Sequence, residues 1–225
     1  MKKLRVAVLI SGRGSNMKSL IEAARDPSYP AEIVLVISNI PDAGGLAVAG
    51  EAGISTKTIE HGAFGKGAAG KRAFDAALHA ALVNAKADLV CLAGFMRLLS
   101  SDFVNQWRGR LVNIHPSLLP AFKGLDVHAE MLRAGVKIAG CTVHFVSPEM
   151  DAGPIIGQAA VPVRKGDTAE SLASRILTEE HRLYPECVRR IASGEIRLSA
   201  AGVVEIDGPP ANGALLNPPP AASSH

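Results

Sequence analysis

Leu4-Arg5-Val6-Ala7-Val8-Leu9-Ile10 runs directly into Ser11-Gly12-Arg13-Gly14-Ser15-Asn16, and this junction decides the fold. Seven residues dominated by aliphatic side chains and closed by serine and glycine read as a strand buried on both faces. A helix-like stretch follows at 16–24. Similar apolar runs recur at 32–37, 88–92, 111–114 and 140–146, with further helix-like stretches at 45–52, 71–84 and 168–192. This alternation implies an α/β fold: a doubly wound, mostly parallel sheet with helices on both faces. Ligands of such a sheet bind beyond the carboxyl ends of its strands.

No linker and no repeat of roughly 20–50 residues interrupts residues 1–198, which read as one domain. Residues 199–225 read as a C-terminal extension rich in Pro, Ala and Ser. It is expected to be mobile from about residue 207, where Gly208-Pro209-Pro210 and Pro218-Pro219-Pro220 stand.

The 225 residues are 48% hydrophobic and 20% charged, the composition of a chain that folds around a core. A net charge of +3 and 4% aromatic residues are too little for a nucleic-acid binder, so small molecules are the expected partners. Cys91, Cys141 and Cys187 are odd in number and widely spaced. They support neither a disulfide framework nor a metal knuckle, and they suit a reducing compartment. Arg5 and Ser11-Gly12 cut short the one stretch that resembles a signal peptide, and no run approaches the ~18 apolar residues of a membrane span. The expected location is the cytoplasm.

Gly14 to Asn16 sit where a strand turns into a helix, so backbone N–H groups and the helix dipole can hold a phosphate there. Gly65-Lys66-Gly67-Ala68-Ala69-Gly70-Lys71 imitates a nucleotide-binding loop, but Arg72 stands where a hydroxyl would bind Mg²⁺. That segment reads as a flexible glycine-rich connection leading into a helix.

Leu111-Val112-Asn113-Ile114-His115-Pro116-Ser117-Leu118-Leu119-Pro120 carries the chemistry. Alternate strand residues share a face, so Asn113 and His115 project together at the strand's end. An amide donor that stabilises an oxyanion, beside an imidazole that moves protons, suits acyl transfer. Asp151, in the turn Asp151-Ala152-Gly153-Pro154, is expected beside His115, where its charge favours the imidazolium. A metal triad of His115, His144 and Asp151 is a further possibility of residue type. The acyl chemistry requires no metal and no covalent intermediate.

Together, Val8 to Asn16, Ala93-Gly94-Phe95-Met96-Arg97-Leu98-Leu99, the Asn113 to Pro120 run and Asp151-Ala152-Gly153-Pro154 resemble the phosphoribosylglycinamide formyltransferase family from about residue 4 to 200. The resemblance implies a formyltransferase-type Rossmann-like fold and a role in purine biosynthesis. It implies transfer of formyl from 10-formyltetrahydrofolate, a co-substrate, to the amine of glycinamide ribonucleotide by a monomer or homodimer. By position, Asn113, His115 and Asp151 are catalytic. Gly14, Ser15, Asn16, Met17, Lys18 and Glu180 bind the acceptor. Lys71, Met96, Arg97, Leu98, Leu99, Asn113, Ser147, Met150 and Asp151 meet the folate. Family members commonly carry Arg at the position of Lys71, and Lys lacks the planar fork of Arg. Arg72 is then a candidate substitute.

Two other readings stand beside this one. A 10-formyltetrahydrofolate hydrolase shares the catalytic core and a segment like Ala121-Phe122-Lys123-Gly124, but is expected to carry an extra amino-terminal domain, for which a first strand at Leu4 leaves no room. A folate- or phosphosugar-binding module without turnover would not need Asn113, His115 and Asp151.

Overall fold

In a computed structural model, residues 2–208 are described, and the part of the tail from 209 to 225 lies outside them. In chain order the elements are β1 (Leu4–Ile10), α1 (Ser15–Ala24), β2 (Ala31–Ser38), α2 (Gly44–Glu51), β3 (Thr56–Thr58), a 3-10 turn (His61–Phe64) and α3 (Gly67–Asn84). Then follow β4 (Leu89–Leu92), α4 (Ser101–Gln106), β5 (Leu111–His115), α5 (Val127–Arg133), β6 (Ile138–Phe145) and β7 (Ile155–Pro162). The described chain closes with α6 (Ala169–Ala192) and the hairpin β8 (Ile196–Leu198) and β9 (Val204–Ile206).

Seven strands form one sheet in the order β3-β2-β1-β4-β5-β6-β7. The first five are parallel, while β6 runs antiparallel to β5 and β7 antiparallel to β6. From β1 the chain winds outward through β2 and β3, then returns to β4 on the other side. The carboxyl ends of β1 and β4 therefore bound the crevice in which doubly wound sheets hold ligands.

Side-chain alternation along β1 divides the core. Val6, Val8 and Ile10 pack with Met17 and Leu20 of α1 and with Tyr184 and Val188 of α6. Ala7 and Leu9 pack on the other face with Phe74, Leu78 and Leu82 of α3 and with Trp107. Burial on both faces explains why β1 is continuously apolar from Val6 to Ile10. The Tyr184 hydroxyl lies 3.0 Å from the Leu92 carbonyl and 3.2 Å from that of Val112, tying α6 to the ends of β4 and β5.

Several elements escape the apolar pattern for physical reasons. β3 is the exposed three-residue Thr-Lys-Thr. α4 and α5 span six and seven residues, too short for helical periodicity to declare itself. β7, Ile-Ile-Gly-Gln-Ala-Ala-Val-Pro, is an edge strand with alternating exposure and small residues. α3 begins at Gly67, not at Lys71, so four residues of the expected connection are helical. Gly70 fits against the Phe64 and Gly65 carbonyls, where a Cβ would collide. Part of the expected extension is ordered, since β9 pairs with β8.

Leu78 and Val83 of α3 test this packing, because the first is fully buried and the second half exposed. Leu78→Ala is expected to lower stability by about 2–5 kcal/mol. Val83→Ala should change it by less than about 0.5 kcal/mol. Urea unfolding of both variants measures the contrast.

Candidate active site

Antiparallel pairing sets Asn113 of β5 directly opposite His144 of β6, and His115 opposite Thr142. The Asn113 Nδ2 lies 3.3 Å from His144 Nε2. His144 Nδ1 is 3.0 Å from the Phe145 carbonyl, which only accepts, so Nδ1 carries the proton. Nε2 is then a lone-pair acceptor, and the Asn113 amide donates to it. Burial, with the ring 2% exposed, pushes the His144 pKa down and favours this neutral form; the Phe145 carbonyl and the Asp151 charge oppose it less strongly.

Asp151 arrives from the loop between β6 and β7. The loop is closed at its neck by a 2.9 Å hydrogen bond from the Phe145 N–H to the Pro154 carbonyl. Gly153 packs against the Phe145 carbonyl so closely that no side chain fits. Asp151 itself holds a left-handed backbone, φ +49°. Its Oδ2 accepts the Gly124 N–H at 2.9 Å and lies 3.5 Å from His115 Nδ1, while Oδ1 lies 3.9 Å from His144 Nε2. The carboxylate thus meets His115, as the sequence anticipates, and also faces the histidine that orients Asn113.

His115 is buried, and its Nε2–H donates to the Phe122 carbonyl at 2.9 Å. Phe122 has φ +54°, a strained conformation for a bulky residue, and such strain clusters at functional sites. No sequence pattern reveals this contact, because the intervening loop alone brings residue 122 back to residue 115. His115, His144 and Asp151 do converge. However, among the described residues no group of three is arranged to hold a metal.

A second cluster faces the crevice from α1 and α6. Gly14, φ +68°, caps α1 without a side-chain hydrogen bond, and the first turn holds no acidic residue. The leading N–H groups thus remain available to an anion. Met17 is fully buried in the core, so only its main chain can face a ligand. Ser15, Lys18 and His181 line a cavity of about 340 Å³ between α1 and α6.

Asn16 Nδ2 donates to Glu180 at 2.6 Å, and Glu180 is only 5% exposed. Asn16 Oδ1 is buried with no protein partner among the described residues. Burial pushes the Glu180 pKa up, against the weaker opposing pulls of Asn16 and His115. The signal for Glu180 is its place in the stripe Leu172, Ile176, Glu180, Tyr184, Val188, buried throughout. A carboxylate at four-residue spacing inside an apolar stripe faces the core, not water.

The remaining predicted residues lie on loops around the crevice. Met96 and Leu98 are both 66% exposed, and Met150 is also exposed. Leu99 packs partly into the core. Arg97 places its guanidinium 5.9 Å over the Phe74 ring, and its Nε is buried without a partner. Lys71 stands one helical turn before Phe74, so it shares the face over which Arg97 lies; Arg72 is rotated away and exposed. Ser147 donates to the Glu149 carbonyl at 2.9 Å and borders a second cavity with Val104, Val146 and Pro148.

The formyl transferase family profile matches residues 4–188. The chain belongs to the formyl transferase family. Escherichia coli K12 phosphoribosylglycinamide formyltransferase is 42% identical over 87% of this chain and 90% of its own length. The bovine trifunctional purine biosynthetic protein adenosine-3 is 51% identical over 89% of this chain, which spans a fifth of that relative's length. The crystal structure of phosphoribosylglycinamide formyltransferase from Anaplasma phagocytophilum superposes with a TM-score of 0.84 at 48% identity, covering 92% of this chain and 95% of that one. Among the described residues no helix is long and apolar enough to cross a membrane.

The raised pKa of Glu180 has a stability consequence. A carboxyl with a folded-state pKa above its unfolded value contributes stability that is fully present below the unfolded pKa and is lost as pH rises through the folded pKa. Glu180→Gln, which keeps an acceptor for Asn16, should therefore melt above the wild type at pH 7.5 and converge with it near pH 4. Calorimetric melts across that range measure the difference.

Proposed function

We propose that the chain transfers the formyl group of 10-formyltetrahydrofolate to the amine of glycinamide ribonucleotide, a step of purine biosynthesis. The observation that carries this reading is the Asn16–Glu180 pair, buried beside an uncapped helix start. Together they offer a grip for each end of a phosphorylated amine: main-chain N–H groups of residues 14–18 for the phosphate, and a carboxylate with an orphan amide oxygen for N–H donors. A hydrolase needs neither grip, because its nucleophile is water.

In the proposed reaction the amine nitrogen attacks the formyl carbon. The carbonyl π electrons move to oxygen, and the second Nδ2–H of Asn113 stabilises that oxyanion while the first stays on His144. A charged His115 donates at both ring nitrogens, to Asp151 at Nδ1 and to the Phe122 carbonyl at Nε2. A neutral carbonyl is a weak partner, so a more basic acceptor displaces it and takes the Nε2 proton. Collapse of the intermediate returns the electron pair to the carbonyl, breaks the bond to the folate nitrogen and leaves that nitrogen protonated. The amine gives up one proton, which passes to His115 Nε2 and restores the group that supplied the leaving nitrogen. No metal and no covalent enzyme intermediate enters the reaction.

The folate is assigned to Lys71, residues 96–99 and residues 147–151, whose exposed Met96, Leu98 and Met150 provide apolar contact. Helix geometry favours Lys71 over Arg72 for the basic position. The proposed setting is the cytoplasm, and the proposed assembly a monomer or homodimer.

His115→Ala and Asp151→Asn should each lower turnover by roughly 10²-fold or more while melting remains cooperative. Near wild-type turnover in either folded variant removes the assigned roles. The reaction class is tested by following folate consumption with and without glycinamide ribonucleotide. Consumption should require the acceptor and yield one formylated amine per folate, whereas acceptor-independent loss with formate accumulating would establish the hydrolase.

A further inference from the structure

The crevice between β1 and β4 is bridged by one hydroxyl. Ser11 is the first residue after β1, and its Oγ accepts the Met96 N–H at 2.7 Å and donates to Asn39 Oδ1 at 2.5 Å. The Ser11 N–H in turn donates to the Gly94 carbonyl at 3.0 Å. Asn39 follows β2 and is 2% exposed. Its main-chain carbonyl and its Nδ2 both lie 3.2 Å from His61 Nδ1 in the 3-10 turn. The loops after β1, β2 and β4 are thus joined at the point where the sheet reverses direction, and the strut is anchored on a fourth segment.

The bonds have a fixed direction. The Met96 N–H can only donate, so Ser11 Oγ must accept there and spend its own proton elsewhere. Asn39 supplies the acceptor through Oδ1, which orients its amide NH₂ toward His61. A buried amide so constrained holds the hydroxyl in one rotamer. Met96 opens the 96–99 segment, in which Met96 and Leu98 are exposed while Arg97 and Leu99 are partly buried, so packing does not hold the Met96 end of the segment.

We infer that Ser11 and Asn39 are positioning residues for the formyl donor: the Asn39-oriented Ser11 hydroxyl fixes the Met96 N–H and so sets the 96–99 segment against the folate. This rests on the function proposed above. Neither side chain touches the acceptor grips at Asn16 and Glu180 or the proton-transfer groups His115 and Asp151. Loss of the strut therefore acts on donor binding and spares the chemical step.

Steady-state kinetics with 10-formyltetrahydrofolate and glycinamide ribonucleotide test the inference. Ser11→Ala should raise the KM for the folate by about tenfold, the scale of one lost hydrogen bond that held a binding segment. The acceptor KM and kcat should stay within about twofold. Ser11→Thr, which restores the hydroxyl, should return the folate KM to near the wild-type value, and Asn39→Leu should reproduce the defect of Ser11→Ala. If Ser11→Ala does not melt cooperatively, Ser11→Cys, nearly isosteric and a poor acceptor, makes the same comparison. Equal rises in both KM values, a fall confined to kcat, or no effect in a folded variant would overturn the inference. Absence of formyl transfer by the wild type would instead overturn the reading on which it rests.

Discussion

The antiparallel register of β6 against β5 is the constraint from which the site follows. It places His144 across from Asn113 at hydrogen-bond distance and delivers the chain into the loop that carries Asp151. A slip of one residue would turn His144 to the opposite face and leave the Asn113 amide without its acceptor. The neck between Phe145 and Pro154 then limits where Asp151 can stand. Its carboxylate ends between the two imidazoles, anchored on the Gly124 N–H. His115 and Asp151 are thus placed by the pairing of β5 with β6 and by the closed neck of the loop.

The two histidines show how burial and partner choice separate residues of one type. Each bonds a main-chain carbonyl through one nitrogen and presents the other toward Asp151. For His144, the cost of charging a buried ring prevails, and the neutral form serves as an acceptor for Asn113. For His115, the carboxylate oxygen lies nearer, 3.5 Å from Nδ1. The same carboxylate therefore faces both His115 and, through His144, the Asn113 amide.

The fold was legible wherever a segment is buried on both faces. β1, β2, β4 and β5 announce themselves as apolar runs, and the glycine-rich turn after β1 marks the start of α1. β3 and β7 are sheet edges, where one side needs no apolar cover, so their sequences carry little signal. In the candidate site, the shared strand face of Asn113 and His115 and the approach of Asp151 are legible from strand alternation and turn chemistry. His144 was noticed only as a possible metal ligand, because its role depends on a cross-strand register that sequence does not display. Glu180 entered through family resemblance, although its place in the apolar stripe of α6 is a local clue. The Phe122 carbonyl and the Asn39 strut are products of loop conformation, which residue types alone do not determine.

The sheet's reversal between β1 and β4 also divides labour. Groups assigned to proton transfer come from β5 and the loop beyond β6, whereas the proposed grips on the acceptor come from α1 and α6. These two sets are encoded in separate stretches of chain and meet only in the crevice. On the proposed function, changes at residues 14–18 or at Glu180 would act on the choice of amine and leave the proposed reacting half intact. Such an arrangement would let one reaction serve different recipients without altering the strands that carry its proposed proton-transfer groups.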